Sequence, residues 1–123
     1  MSNFVKLALI LGVLDYSYIY NIKNYFNNMI TSIQGKELNV KYLGVIFAYV
    51  FLFIILKLFV IDKNLSIINS FILGMSIYGV YDMTNYATIN NWDFNFVILD
   101  TLWGGTLFAL INFIYNKLII YEN

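Results

Sequence analysis

The run Tyr42–Ile61, YLGVIFAYVFLFIILKLFVI, carries a single charge, Lys57, and no polar face. At 1.5 Å rise per residue, its ~20 residues match the ~30 Å hydrocarbon core of a bilayer. It reads as a membrane-spanning helix, with Lys57 close enough to one end for its long stem to reach the headgroups. Composition agrees. The chain is 61% hydrophobic and 11% charged, whereas soluble domains are roughly half apolar and a quarter charged.

Three further apolar runs follow the same logic. Phe4–Tyr20 has a lysine and an apolar stretch in signal-peptide order, but no small-x-small cleavage site follows, so it reads as a retained transmembrane helix. Within it Ala8 and Gly12 have the spacing that lets helix backbones approach closely. Asp15 and Tyr16 continue that stripe, which predicts that Asp15 faces a neighbouring helix and not lipid. The next stretch, 21–41, is polar, but Phe26, Met29, Ile30 and Ile33 repeat at helical spacing. Two readings stay open for it: an interfacial amphipathic segment, or an extension of the first helix out of the bilayer.

The connector Asp62-Lys63-Asn64 is too short for anything but an antiparallel return. Asn64-Leu65-Ser66 matches a glycosylation sequon, yet so near the membrane Asn64 reads better as a helix N-cap. In the third run Ser70, Gly74, Tyr78 and Asp82 lie four apart and share one face, expected to point inward. After a turn over 86–92, Asp93 sits where an N-cap belongs, and Trp92 and Val97 are spaced as a hydrophobic staple. The fourth run contains Asp100 and another small pair, Gly105 and Ala109. No repeat or domain boundary is visible. The expectation is one all-α domain over 1–123: an integral membrane four-helix up-down bundle with helices about 4–20, 42–61, 65–85 and 94–120.

Up-down order puts the end of the first helix, the start of the second, the end of the third and the start of the fourth on one side. Asp15, Asp82 and Asp100 therefore fall in the same leaflet half. An aspartate at a helix centre costs ~2.5–3.5 kcal/mol on insertion scales, so a shared polar cavity is cheaper than three separate exposures to lipid. Tyr16, Tyr18, Thr84, Asn85, Thr101 and Trp103 are partners at compatible depth, and none is cationic. The candidate polar cluster is Asp15, Asp82, Thr84, Asn85, Asp100 and Trp103. It has two readings: glue between helices, or a site compensated by a proton, a cation or water. Trp92 and Trp103 are expected to mark the interfacial belt on that side.

Seven lysines balance seven acids, and the chain has no Arg, His, Cys or Pro. Zero net charge gives nucleic acid no handle. Without Cys there is no thiol catalysis or thiolate metal site, and without His the commonest general base is missing. No cofactor motif is present, and the identity of any metal is left open. Lys6, Lys57, Lys63 and Lys117 on one side against Lys23, Lys36 and Lys41 on the other set no orientation.

Three function classes remain. The leading one is a structural or interaction component of a membrane, with the bilayer, a second copy, or neighbouring membrane or capsid proteins as partners. The others are a small cation- or proton-coupled transporter, and a lipid-modifying protein, which would need Asp as acid/base or a hard metal. The enzyme reading is the weakest.

The residues Tyr81, Asp82, Thr84, Asn85, Ala87 and Thr88, then Trp92, then Asp100, Trp103 and Gly104, resemble the conserved blocks of the small membrane proteins grouped as domain of unknown function 2177. Leu14-Asp15 resembles that family's first-helix pair, and Gly74 the glycine of its third helix. Asp93 stands where the family has Pro, and Tyr18 where it has Trp. The resemblance implies a four-helix membrane fold, picks out the same three aspartates and implies no known activity. The family occurs in bacteria, algae and some large DNA viruses. With the Asn-, Ile- and Lys-rich composition of an AT-rich genome, this implies a virion membrane as one location.

Overall fold

The computed structural model describes residues 2–122, with side chains described through Ile120. Helix α1 is Asn3–Gln34 and α2 is Tyr42–Ile55, which runs on through a π-helical turn, Leu56–Ile61. Helices α3, Ile67–Thr88, and α4, Phe94–Glu122, complete an all-α up-down bundle with no strand among the described residues. Three helical spans, Asn3–Gln34, Tyr42–Ile61 and Phe94–Ile120, are long and apolar enough to cross a membrane. Helix α3, at 22 residues, is longer than α2 but more polar, since it carries Asn69, Ser70, Asp82 and Asn85, and it lies against α4.

Helix α1 is one unbroken helix, which decides between the two readings of 21–41. Ser2 caps its start by accepting from the Val5 N–H at 3.2 Å, and Gly35 ends it at φ 77°. Glycine takes that left-handed conformation without a Cβ penalty. Continuation past Tyr20 is favourable because the Met29 face has something to cover. Met29 buries against Trp92, Phe96 and Val97, with Ile22, Phe26, Ile30 and Ile33 packed around them. Of the two readings of 21–41, the extension of the first helix is the one formed, and a short non-helical return follows Gly35. That return is tied back by Gln34 Nε2, which donates to the carbonyls of Lys36 and Glu37 at 2.9 and 2.8 Å.

The end of α2 is widened by i→i+5 bonds: Asp62 N–H donates to Lys57 O and Leu65 N–H to Val60 O, each at 2.9 Å. Lys57 pairs with Asp62 there. The cap of α3 is Ser66, accepting from Asn69 N–H at 3.2 Å, and not Asn64. Asn64 instead takes φ 53° in the tight connector, a conformation Asn tolerates better than most residues. Helix α3 therefore starts later than expected and continues to Thr88, which shortens the turn. At the start of α4, Asp93 Oδ1 accepts from Asn95 N–H at 2.9 Å, and Trp92 and Val97 are buried in one cluster. Cap and staple are both formed.

Glycines close the α3–α4 seam. A Cβ on Gly74 would stand 2.2 Å from the Gly104 carbonyl, and one on Gly104 would stand 2.3 Å from the Tyr78 ring. Gly105 meets Phe71 in the same way, at 2.8 Å. Between α1 and α2 the opposite holds. The expected close approach at Ala8 and Gly12 does not form: both residues are exposed, and nothing lies within 4 Å of a Cβ placed on Gly12. Tyr16 of that stripe is 67% exposed.

Along the bundle axis the interior has three layers. Leu7, Leu11, Leu56, Val60, Leu107, Phe108, Ile111 and Tyr115 form an apolar core at one end. Met29, Trp92, Phe96 and Val97 form a smaller one at the other. The chain order of α1 and α4 places Asp15, Tyr18, Asp100 and Trp103 between them.

Candidate functional site

Asp82 is fully buried, the fourth member of the Ser70-Gly74-Tyr78-Asp82 stripe that faces α4. Neither of its carboxyl oxygens accepts a hydrogen bond from a donor among the described residues. The group it faces is the Asp100 carboxyl. Two carboxylates offer only acceptors, so their contact becomes a hydrogen bond only when one carries a proton. Asp100 has a donor of its own, the Tyr18 hydroxyl, at 2.6 Å from Oδ1.

Asp15 is built differently. The Tyr49 hydroxyl of α2 donates to its Oδ2, and Trp103 Nε1 of α4 donates to its Oδ1 at 3.2 Å. The Trp103 ring then stacks on the Tyr18 ring, with centroids 4.7 Å apart and planes 7° from parallel. A continuous series of contacts therefore runs Tyr49, Asp15, Trp103, Tyr18, Asp100, Asp82. Tyr78 sits within electrostatic reach of all three acids.

The three carboxylates do not meet at one point, as a single shared cavity would require. Asp15 is level with Trp103 and Asp100 with Tyr18, so Asp15 lies about one helical turn deeper, ~5 Å. The sequence placed all three in one leaflet half, but helix rotation sends Asp15 toward α2 and the other two into the α3–α4 seam. Among the described residues no group of three His, Cys, Asp or Glu side chains is arranged to hold a metal ion. No lysine among them makes an ion pair with any of the three; the ion pair Lys57–Asp62 is at the far end of α2.

Of the remaining candidates, Trp103 joins the belt as a donor. Thr84 is exposed, its carbonyl engaged by Thr88 Oγ1 at 2.8 Å, and it stands outside the belt. Asn85 is half-buried beside Tyr81, one turn beyond Asp82. Thr101 Oγ1 is buried without a hydrogen-bond partner among the described residues, its Cγ2 3.5 Å from a Cβ placed on Gly79. Trp92 is 6% exposed and packs inside the cluster with Met29, Phe96 and Val97, where an interfacial belt would leave it open. Tyr49 escaped the sequence reading altogether. A tyrosine midway along an otherwise apolar span is the signal that was available, because its hydroxyl at that depth needs an acceptor.

A second polar group lies at the opposite end. Asn112 Nδ2 donates to Ser70 Oγ at 2.8 Å and to Leu65 O at 2.7 Å, and Asn116 Nδ2 donates to Asn112 Oδ1 at 2.6 Å. The close Gly74–Gly104 approach and the buried Phe108 ring separate it from the acids.

The family model described as predicted membrane protein (DUF2177) matches residues 1–115. The chain belongs to this family. The match takes in all three aspartates, the buried residues of both apolar clusters, helices α1 to α3, and α4 as far as Tyr115. Membrane character is thereby shown twice, by the family and by the three spans. No curated protein and no solved structure matches the chain.

Proposed function

We propose that this family member is a small proton-coupled membrane transporter, with Asp82 and Asp100 as the place where a proton binds and leaves. One observation carries the reading: Asp82 is wholly buried, faces another acid, and has no donor on either oxygen among the described residues. A carboxylate kept only as interhelical glue would be expected to have its hydrogen bonds made, as Asp15 does. An unmade bond on a buried carboxyl costs on the order of 1–3 kcal/mol or more, which a purely structural role does not recover. A proton shared by the pair satisfies both groups without a metal.

The setting suits a carrier more than an open channel. The pair lies between the Phe108 core and the Trp92 cluster, so moving a proton across requires one of these layers to yield. The π-helical turn at Leu56–Ile61 is the irregular element beside the first core, and such turns are frequent at functional sites.

The structural reading keeps its support at Asp15, whose two donors come from two different helices and tie α2 to α4. A viral-membrane location rests on composition and resemblance alone and forms no part of the proposal.

Infrared spectroscopy of the purified protein through a pH titration tests the proton site. The carbonyl stretch of a protonated carboxylic acid is expected in the wild type, lost in Asp82→Asn and kept in Asp15→Asn. Absence of any such band in the wild type, or its survival in Asp82→Asn, would sink the proposal.

A further inference from the structure

An apolar groove of about 630 Å³ separates α1 from α2. Its walls include Leu11, Gly12 and Tyr16 on one side and Tyr49, Val50 and Phe53 on the other. It lies within two membrane spans and opens sideways, where Tyr16 and Val50 are exposed. Lipid tails alone would suit an apolar wall, but this wall has two properties that tails do not use. Three of its residues are aromatic, and the faces of tyrosine and phenylalanine rings attract cations. One of them, Tyr49, bonds through its hydroxyl to the carboxyl of Asp15 directly behind the groove. Of the three acids Asp15 is the one on this side, and no lysine among the described residues is paired with it. Charge complementarity therefore selects a positive occupant, and the lining selects an apolar one.

We infer that the α1–α2 groove binds apolar organic cations that enter from the bilayer, seated on Tyr16, Tyr49 and Phe53 with Asp15 as counter-ion. The inference deepens the proton-coupling proposal, on which it rests for its role, by naming the class of molecule exchanged for the proton. The contact series from Tyr49 to Asp82 supplies the link. A cation that draws Tyr49 or Asp15 toward the groove disturbs Trp103 and Tyr18, and with them the donor on Asp100. Gly12 lines the site, and a Cβ placed there has nothing within 4 Å, so a larger side chain would extend into the groove.

Equilibrium dialysis of the purified full-length chain against tetraphenylphosphonium and tetraphenylborate, matched in shape and opposite in charge, tests the assignment. The cation is expected to bind at least about tenfold tighter than the anion. Both Asp15→Asn and Gly12→Leu are expected to weaken it by about tenfold or more, with Gly12→Leu keeping the wild-type fold. Equal binding of the two ions would show a groove for apolar molecules or lipid tails and would overturn the inference. So would absence of binding, or binding unchanged in both variants. A pH electrode in unbuffered samples separates the two proposals. Cation binding with no proton release leaves the groove assignment standing and removes the coupling. A titrating Asp82–Asp100 pair with no cation binding does the reverse.

Discussion

The two helix seams of this bundle are made from the same kinds of residue and behave in opposite ways. Both contain glycine, aromatic rings and an aspartate. At the α3–α4 seam, Gly74, Gly104 and Gly105 let backbone and rings meet at distances no Cβ could share, and the seam is closed. At the α1–α2 seam, Gly12 has nothing above it and the helices stand apart around a groove. Glycine spacing alone therefore does not close a membrane interface. Closure needs a partner face of matching shape, here the Tyr78 and Phe108 rings and the Gly104 backbone. The same contrast holds for the acids. Of the two carboxylates in the closed seam, Asp82 has no donor among the described residues and Asp100 has one, whereas Asp15 beside the open groove has two.

The sharpest way to break this comparison is to add a methyl group on each side of it. Gly74→Ala drives a Cβ into the Gly104 carbonyl and is expected to cost about 3 kcal/mol, seen as a large fall in thermal unfolding temperature in detergent. A wild-type melt for that variant would mean that the seam is not closed. Next in size, Asp15→Ala strands the Tyr49 hydroxyl and Trp103 Nε1 and is expected to cost about 1–3 kcal/mol.

Asp82→Asn is expected to leave stability within about 1 kcal/mol of the wild type, because the new amide donates to Asp100 in place of the shared proton. Destabilisation of the same size as in Asp15→Ala would show that the two acids are alike after all. The smallest effect belongs to Gly12→Ala. With open space above it and a better helix former in place, the variant is expected to match the wild type or gain up to about 1 kcal/mol. A clear loss there would mean that the groove is closed in the membrane.

Much of this fold could be read from residue order. Uninterrupted apolar runs of bilayer length imposed spans, because a backbone in hydrocarbon must satisfy its own hydrogen bonds. Short connectors imposed the up-down order, and the four-residue spacing of Ser70, Gly74, Tyr78 and Asp82 imposed a common inward face. These are local properties. Hydropathy and helical period act within one segment and need no partner, which is why they survived into the structure.

Three things waited for the tertiary structure, and each concerns which face meets which. The stretch after Tyr20 had a helical pattern but no visible reason to stay attached to the first helix, until Trp92 and Phe96 provided the surface that Met29 covers. The Ala8–Gly12 pair looked like a contact and is a groove, because small residues permit approach without attracting a partner. The sequence put Asp15, Asp82 and Asp100 in one leaflet half, and only the rotation of each helix separated a partnered acid facing α2 from one buried against α4 with no donor among the described residues. The chain alone determined that the acids would fall in the same half of the bundle. Packing decided which of them was left with no donor, because a hydrogen-bond partner is set by angles between helices that no single segment encodes.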